Sequence, residues 1–207
     1  MAISNGYATL AEIKQYLSIT DSTDNDLLEH AVESASRSID RIANRRFYAD
    51  ASASARSYRV SSPVILYLDD ISSTSGLIVK TDDDGDGTFE TTLTIDTDFV
   101  LDPLTAASLG RPFTQVTVVS TSKTFPIFPG LLQNGLRPGV QVTAKWGWPE
   151  VPDDIRQACL ILSADLYKRK DSPGGVIGLG DLGAVRMSPL GRDVTNIVRA
   201  YQKIALA

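Results

Sequence analysis

This chain has one cysteine and one histidine in 207 residues. A lone Cys159 excludes an internal disulfide framework and fits a reducing compartment. A lone His30 has no second imidazole with which to hold a metal or relay a proton. No run approaches the roughly 18 apolar residues that a membrane span needs. The opening Met1-Ala2-Ile3-Ser4-Asn5-Gly6 lacks both a basic start and an apolar core, so it reads as no secretory signal. Positive charge is short as well. A net charge of −5 argues against a nonspecific nucleic-acid binder, which would cluster Lys and Arg against phosphate. The glycines of Gly174-Gly175-Val176-Ile177-Gly178-Leu179-Gly180 lead to no Gly-Lys-Ser/Thr ending, so they form no phosphate loop. No nucleophile–base pair or carboxylate pair can be assembled, and an enzyme is the least expected class.

What is present is a folding sequence. Hydrophobic residues make up 43% and charged residues 22%, the composition of a globular domain large enough to carry an insertion. Thr9-Leu10-Ala11-Glu12 has capping-box spacing and opens a short helix with Leu10, Ile13 and Leu17 on one face. Thr23 and Asp26 repeat the capping pattern before a longer helix, in which Leu27, Ala31, Ala35, Ile39 and Ile42 recur at helical spacing to about Arg46. Phe47 and Tyr48 are expected to lock its end. Residues 49–57 are small and polar and read as a linker.

From Tyr58 to Trp146 the period changes to two. Strands are expected at 64–68, 77–80, 88–95, 99–101, 115–119 and 140–145, separated by turn signals such as Asn134-Gly135 and Pro138-Gly139. The last strand ends at Trp146-Gly147-Trp148-Pro149, a stiff corner with a large aromatic anchor. Asp153 and Asp154 then suit the first turn of a helix striped by Ile155, Cys159, Leu162 and Leu166. The Cys159 thiol is expected to be buried and inert. After the glycine-rich Ser172 to Gly183, a final amphipathic helix turns Val194, Ile197, Val198, Tyr201 and Ile204 inward. The fold class expected is therefore α+β: a helical bundle from the N- and C-terminal segments with an inserted antiparallel β domain. The boundaries read as 1–56, 57–147 and 148–207.

Charge is uneven along this plan. Residues 57–145 carry ten acids and six bases, and residues 151–207 carry six acids and eight bases. The sharpest chemical signal is Asp82-Asp83-Asp84-Gly85-Asp86-Gly87-Thr88-Phe89-Glu90. Asp82, Asp84 and Asp86 alternate as in a calcium loop, Gly87 follows at the sharp turn, Thr88 offers a carbonyl and Glu90 stands at the ninth position. The twelfth position is Leu93 where a bidentate Glu is needed, which excludes a full EF-hand loop. Two readings stay open, a weak calcium site and a solvated hairpin tip. No cofactor is required by either.

Read in order, these elements resemble the head–tail connector (adaptor) proteins of long-tailed double-stranded DNA phages. The resemblance runs from Tyr7-Ala8-Thr9-Leu10-Ala11-Glu12-Ile13-Lys14-Gln15-Tyr16-Leu17, through the long helix ending Arg45-Arg46-Phe47-Tyr48 and the β insertion closing on Trp-Gly-Trp-Pro. It continues in the 153–170 helix and Gly178-Leu179-Gly180-Asp181-Leu182-Gly183-Ala184-Val185-Arg186. It implies a virion structural protein of the neck, assembled in the host cytoplasm and forming a ring beneath the portal. Its partners would be the portal, a tail-side neck or stopper protein and, in a ring of twelve, itself. Passive contact with DNA in the channel would fall to Lys168-Arg169-Lys170 and Arg156, although capping of the helix C-terminus and solvation account better for these bases, and no membrane is involved. Arg186, Arg192, Val198, Arg199, Tyr201 and Lys203 on the basic tail are the expected portal or subunit contacts. The glycine-rich segment is expected to order only against a partner. Two other readings remain: a tail-completion or tail-terminator ring protein, and a calcium-binding β-module for adhesion.

Overall fold

Thr9 starts the first helix as the sequence predicts. Its hydroxyl accepts from the Glu12 amide while the Glu12 carboxylate accepts from the Thr9 amide, a reciprocal capping box. The structure, a computed structural model, describes residues 3–127, 137–171, 176–178, 184–186 and 191–203. The chain divides into two compact units, Met1–Phe47 with Val151–Ala207, and Tyr48–Glu150. The fold is α+β, with four α-helices and a six-stranded antiparallel sheet among the described residues.

The first unit is helical: α1 (Leu10–Leu17), α2 (Asn25–Ala43), α3 (Asp153–Lys168) and α4 (Arg192–Arg199). Helix α2 buries Leu28, Ala31, Val32, Ala35, Ser36, Ile39 and Ala43. The face is therefore turned from the expected one, and Leu27 is 40% exposed while Leu28 is fully buried. Ala31, Ala35 and Ile39 stay on the buried face, and Leu28, Val32, Ser36 and Ala43 take the place of Leu27 and Ile42. Ala and Ser on the true face carry little hydropathy, yet they let helices approach closely. The N-cap is Asp24, without a side-chain cap bond, rather than Thr23. The helix stops at Asn44 in the left-handed region (φ 52°), short of Arg46. Phe47 is fully buried, with Tyr7 on one side and Tyr201 on the other in edge-to-face contact, each 5.7 Å between ring centres.

The second unit is β1 (Ser54–Tyr58), β2 (Ile65–Thr81), β3 (Thr91–Leu93), β4 (Phe99–Asp102), β5 (Phe113–Val118) and β6 (Val140–Trp146). The sheet order is β1-β6-β2-β5-β4, with β3 also on β2. The expected strands at 64–68 and 77–80 are two ends of one long β2. Register shifts between Tyr67 and Ile78 let its first part pair with β5 and its later part with β6. The expected linker at 49–57 contains β1, whose Arg56 and Tyr58 alternate inward against exposed Ser57. The expected strand at 88–95 shrinks to Thr91–Leu93, because the Asp86 carboxylate accepts from the Thr88 amide in a side-chain turn that competes with ladder bonds. The Asn134-Gly135 turn lies outside the described residues. Alternate residues Leu66, Leu68, Val116, Val118, Val140 and Val142 fill this core, with Trp146 at one end.

A small two-stranded sheet, β7 (Val176–Gly178) with β8 (Ala184–Arg186), follows α3. The rest of the glycine-rich segment lies outside the described residues, as does Ile204.

Candidate functional site

The corner that ends β6 is built around one glycine. Gly147 has φ of 112°, and a Cβ there would lie 1.8 Å from the Tyr48 carbonyl oxygen. Only glycine lets the chain pass so close. Its amide donates to the Asp70 carbonyl at 2.7 Å. Trp146 Nε1 donates to the Ser54 carbonyl at 2.8 Å, and the Arg56 guanidinium lies 4.3 Å from the indole centre. Trp148 Nε1 donates to the Asp70 carboxylate at 3.1 Å. Both indoles are thus buried with their polar edges satisfied, which makes this a rigid corner.

The aspartate loop gathers four carboxylates. Oxygens of Asp82, Asp84, Asp86 and Glu90 lie within 4.8 Å of one another. Asp82 is buried and accepts from the amides of Gly85 at 2.7 Å and Gly87 at 2.9 Å. Asp84 accepts from the Asp86 amide, and Asp86 from the Thr88 amide at 2.6 Å. The Thr88 amide and hydroxyl hold Asp86 below the usual carboxylate range. Asp83 points elsewhere, accepting from the Thr91 and Thr81 hydroxyls, which hold it low. The Arg137 guanidinium donates to the Asp86 carbonyl, so a protein cation already stands at the loop. Thr88 is exposed and joins through its backbone amide. Asp82, Asp84, Asp86 and Glu90, singled out in the sequence, thus lie side by side. The sequence reading missed Arg137, whose distance along the chain hides its partner.

The basic tail is less exposed than its charge suggests. Val194 and Val198 are fully buried, so Val198 presents no surface to a partner. Tyr201 packs on Phe47 and donates to the Asp154 carboxylate at 3.1 Å. The Lys203 amide donates to the Ala43 carbonyl at 2.9 Å. Arg192 and Arg199 are exposed. Arg186 ends β8. The apolar stripe of α4 therefore closes the helical core, and Arg192, Asp193, Asn196 and Arg199 face outward from it.

The bases on α3 are also engaged. Lys170 pairs with Asp24 at 2.6 Å, and the Tyr167 hydroxyl donates to the same carboxylate oxygen at 2.5 Å. Both contacts hold Asp24 below the usual range. Arg156 pairs with Glu12 at 3.0 Å. The Thr9 amide, the Thr9 hydroxyl and Arg156 keep Glu12 low. These pairs engage within the protein two of the bases weighed for DNA contact. Burial pushes the Cys159 thiol up, so it stays protonated beside Ser36 and Ser163. His30 is exposed on α2.

One region escaped the sequence reading. The β4–β5 connection is a tightly bonded tip in which the Ala106 amide donates to Pro103 and the Arg111 amide to Ala106, yet Leu104 and Leu109 are 74% and 62% exposed. Behind it lies a groove of about 390 Å³, bordered by Ser72, Thr74, Arg111, Phe113 and Glu150. Two leucines between Pro103 and Pro112 were its signal.

Residues 7–69 match the model of a family described as phage gp6-like head-tail connector protein. No curated protein matches the chain. Two solved structures resemble the fold along all of this chain and 95% of their own. One, from the neck of an empty GTA particle computed with C6 symmetry, is 15% identical with a TM-score of 0.55. The other, from the virion of a native gene transfer agent particle, is 16% identical with a TM-score of 0.53. No helix among the described residues is long and apolar enough to cross a membrane.

Proposed function

We propose that this chain, a head–tail connector protein by its match over residues 7–69, works as a ring-forming adaptor beneath the portal of a phage-like particle. The observation that carries the reading is that family match, supported by a fold shared end to end with chains from gene transfer agent particles. The reaction is assembly, and its driving force is surface buried between copies and against neighbours in the neck. A closed ring needs heterologous contacts, in which one face of a subunit meets a different face of the next. The expected ring has twelve copies, each equivalent on a portal of the same symmetry. A neck of C6 symmetry is compatible with twelve copies as two per repeat.

The exposed arginines Arg192 and Arg199 are the residues of α4 offered to the portal, whereas its apolar stripe closes the helical core. The tail-side stopper would then meet the β unit. This assignment gives each unit of the chain its own partner, consistent with a β unit of twelve acids and seven bases beside a helical unit of thirteen of each.

Tagged chain co-purified from lysates of assembling particles tests the reading. Recovery of portal, lost in Arg192→Glu with Arg199→Glu, is the expected result. Recovery of tail tube without portal points to a tail-terminator ring instead. A reconstruction of the particle neck then counts the copies, and a number other than twelve removes the matched-symmetry argument.

A further inference from the structure

The β7–β8 hairpin is a two-stranded sheet with no third strand among the described residues. It pairs Val176 with Arg186, Ile177 with Val185 and Gly178 with Ala184. Three residues a side is short, and an isolated two-stranded hairpin is at best marginally stable in water. Each outer edge carries backbone N–H and C=O groups that another strand can satisfy.

The six-stranded sheet ends in two edges of its own, β1 and β4. Charge separates them. β4 follows Asp96 and Asp98 and ends at Asp102, while β1 contains Arg56 and is followed by Arg59. Length separates them too. The bridge between Ile95 and Phe99 takes the first residue of β4, leaving Val100–Asp102 as an open edge of three residues, the length of β8. β8 ends in Arg186. Against β1 it would meet no carboxylate in the strand, and Arg56 there already holds Asp69 at 2.6 Å. Against β4 it sets a cation beside carboxylates.

We propose that β8 of one copy adds to the β4 edge of a neighbouring copy and so links subunits of the ring. This rests on the ring reading above and names the contact that closes it. Antiparallel addition of Ala184–Arg186 along Val100–Asp102 brings Arg186 to the Asp98 end, and parallel addition brings it to Asp102. Either register pairs opposite charges. Each copy gives one hairpin and receives one, so the contact is heterologous and closes by rotation. Strand addition also removes two open edges per subunit, which otherwise invite aggregation.

The test uses necks purified from particles carrying Val100→Cys combined in turn with Ala184→Cys, Val185→Cys and Arg186→Cys. A parallel set carries Ser57→Cys on β1 in place of Val100→Cys. Necks are imaged by electron microscopy, oxidised and run on non-reducing gels. At least one Val100→Cys pair is expected to give a ladder of covalent oligomers. As a check free of substitutions, amides of Val100–Asp102 in the unmodified chain are expected to exchange roughly tenfold slower in the neck than in the free chain. Rings without a ladder and without that protection overturn the proposal and leave the ring intact. A ladder only through Ser57→Cys, or disulfides confined within single chains, also overturns it. Necks that lack a ring of this chain remove the ring reading itself, and the proposal with it.

Discussion

The helical unit and the β unit are closed by different kinds of bond. The β unit is one continuous stretch, Tyr48–Glu150, joined by backbone ladders and by a corner that admits only glycine. The helical unit is made of two segments separated by that whole stretch. Side chains join them: Glu12 to Arg156, Asp24 to Lys170 and Tyr167, and Asp154 to Tyr201, around a shared Tyr7–Phe47–Tyr201 aromatic row. Ladder bonds are short-range in register and hard to loosen singly. Surface pairs are individually weak, and bringing distant segments together costs loop entropy. The helical unit therefore depends on packing between distant segments, whereas the β unit carries its own ladders within one stretch.

The sharpest way to break the comparison is at its most rigid point. Gly147→Ala forces a Cβ against the Tyr48 carbonyl at a positive φ, and a loss of about 4 kcal/mol or more is expected. Chemical denaturation followed by tryptophan fluorescence reads it, since both indoles sit at this corner. A variant as stable as the parent would mean that the corner yields.

Phe47→Ala attacks the helical unit at its aromatic row. Removing a wholly buried phenylalanine is expected to cost about 3 kcal/mol. Hydrogen exchange should quicken across α2, α3 and α4 while β6 and β2 keep their protection. Equal loosening of both units would show that they fold as one cooperative body.

Within the aspartate loop the carboxylates should separate by burial. Asp82→Ala strips two backbone amides of a buried acceptor, and about 2 kcal/mol is expected from thermal melts. Asp84→Ala with Asp86→Ala, at exposed positions, should leave the melting temperature unchanged within error. Calcium titration sharpens this further. With Arg137 on the loop and no bidentate carboxylate at the twelfth position, any binding should be weak, with Kd of about 10⁻⁴ to 10⁻³ M. Micromolar affinity would require a further ligand from elsewhere in the chain.

The smallest effect is in acid. Glu12 in the helical unit and Asp83 in the β unit are both held below their ordinary values of 4.5 and 3.8. A carboxylate depressed by folding contributes stability that is full above its unfolded value and lost as pH falls through the folded one. Melting temperature should therefore hold steady above about pH 5 and fall below pH 4. Glu12→Gln should flatten that acid limb in the helical unit, and Thr91→Val should do so in the β unit. A limb unchanged in both would place the acid sensitivity in other carboxylates.

Much of this arrangement is legible one element at a time. The capping box at Thr9 and Glu12, the strand-to-helix corner at Trp146–Pro149 and the aspartate loop are local, and local chemistry dictates them. The strand β1 was hidden because Ser54-Ala55-Arg56-Ser57-Tyr58 has no apolar alternation. It is held by its register on β6 and by Arg56 and Tyr58 beside Trp146. On α2 the expected Ala31, Ala35 and Ile39 are buried, but the choice between adjacent Leu27 and Leu28 depends on the surface packed against the helix, and Leu28, Val32, Ser36 and Ala43 complete the face.

By itself the sequence determined the element types, the order of helices, strands and helices, and the residues of the aspartate loop. Periodicity, caps and turn chemistry act over a few residues, so they are written locally. Only the tertiary structure decided what the charges are for. Lys170 and Arg156 look available along the chain, but packing of α3 against α2 and α1 sets them beside Asp24 and Glu12. It likewise decided that Val198 closes a core while Arg192 and Arg199 stay outside, because a helix face acquires its meaning from the surface laid against it.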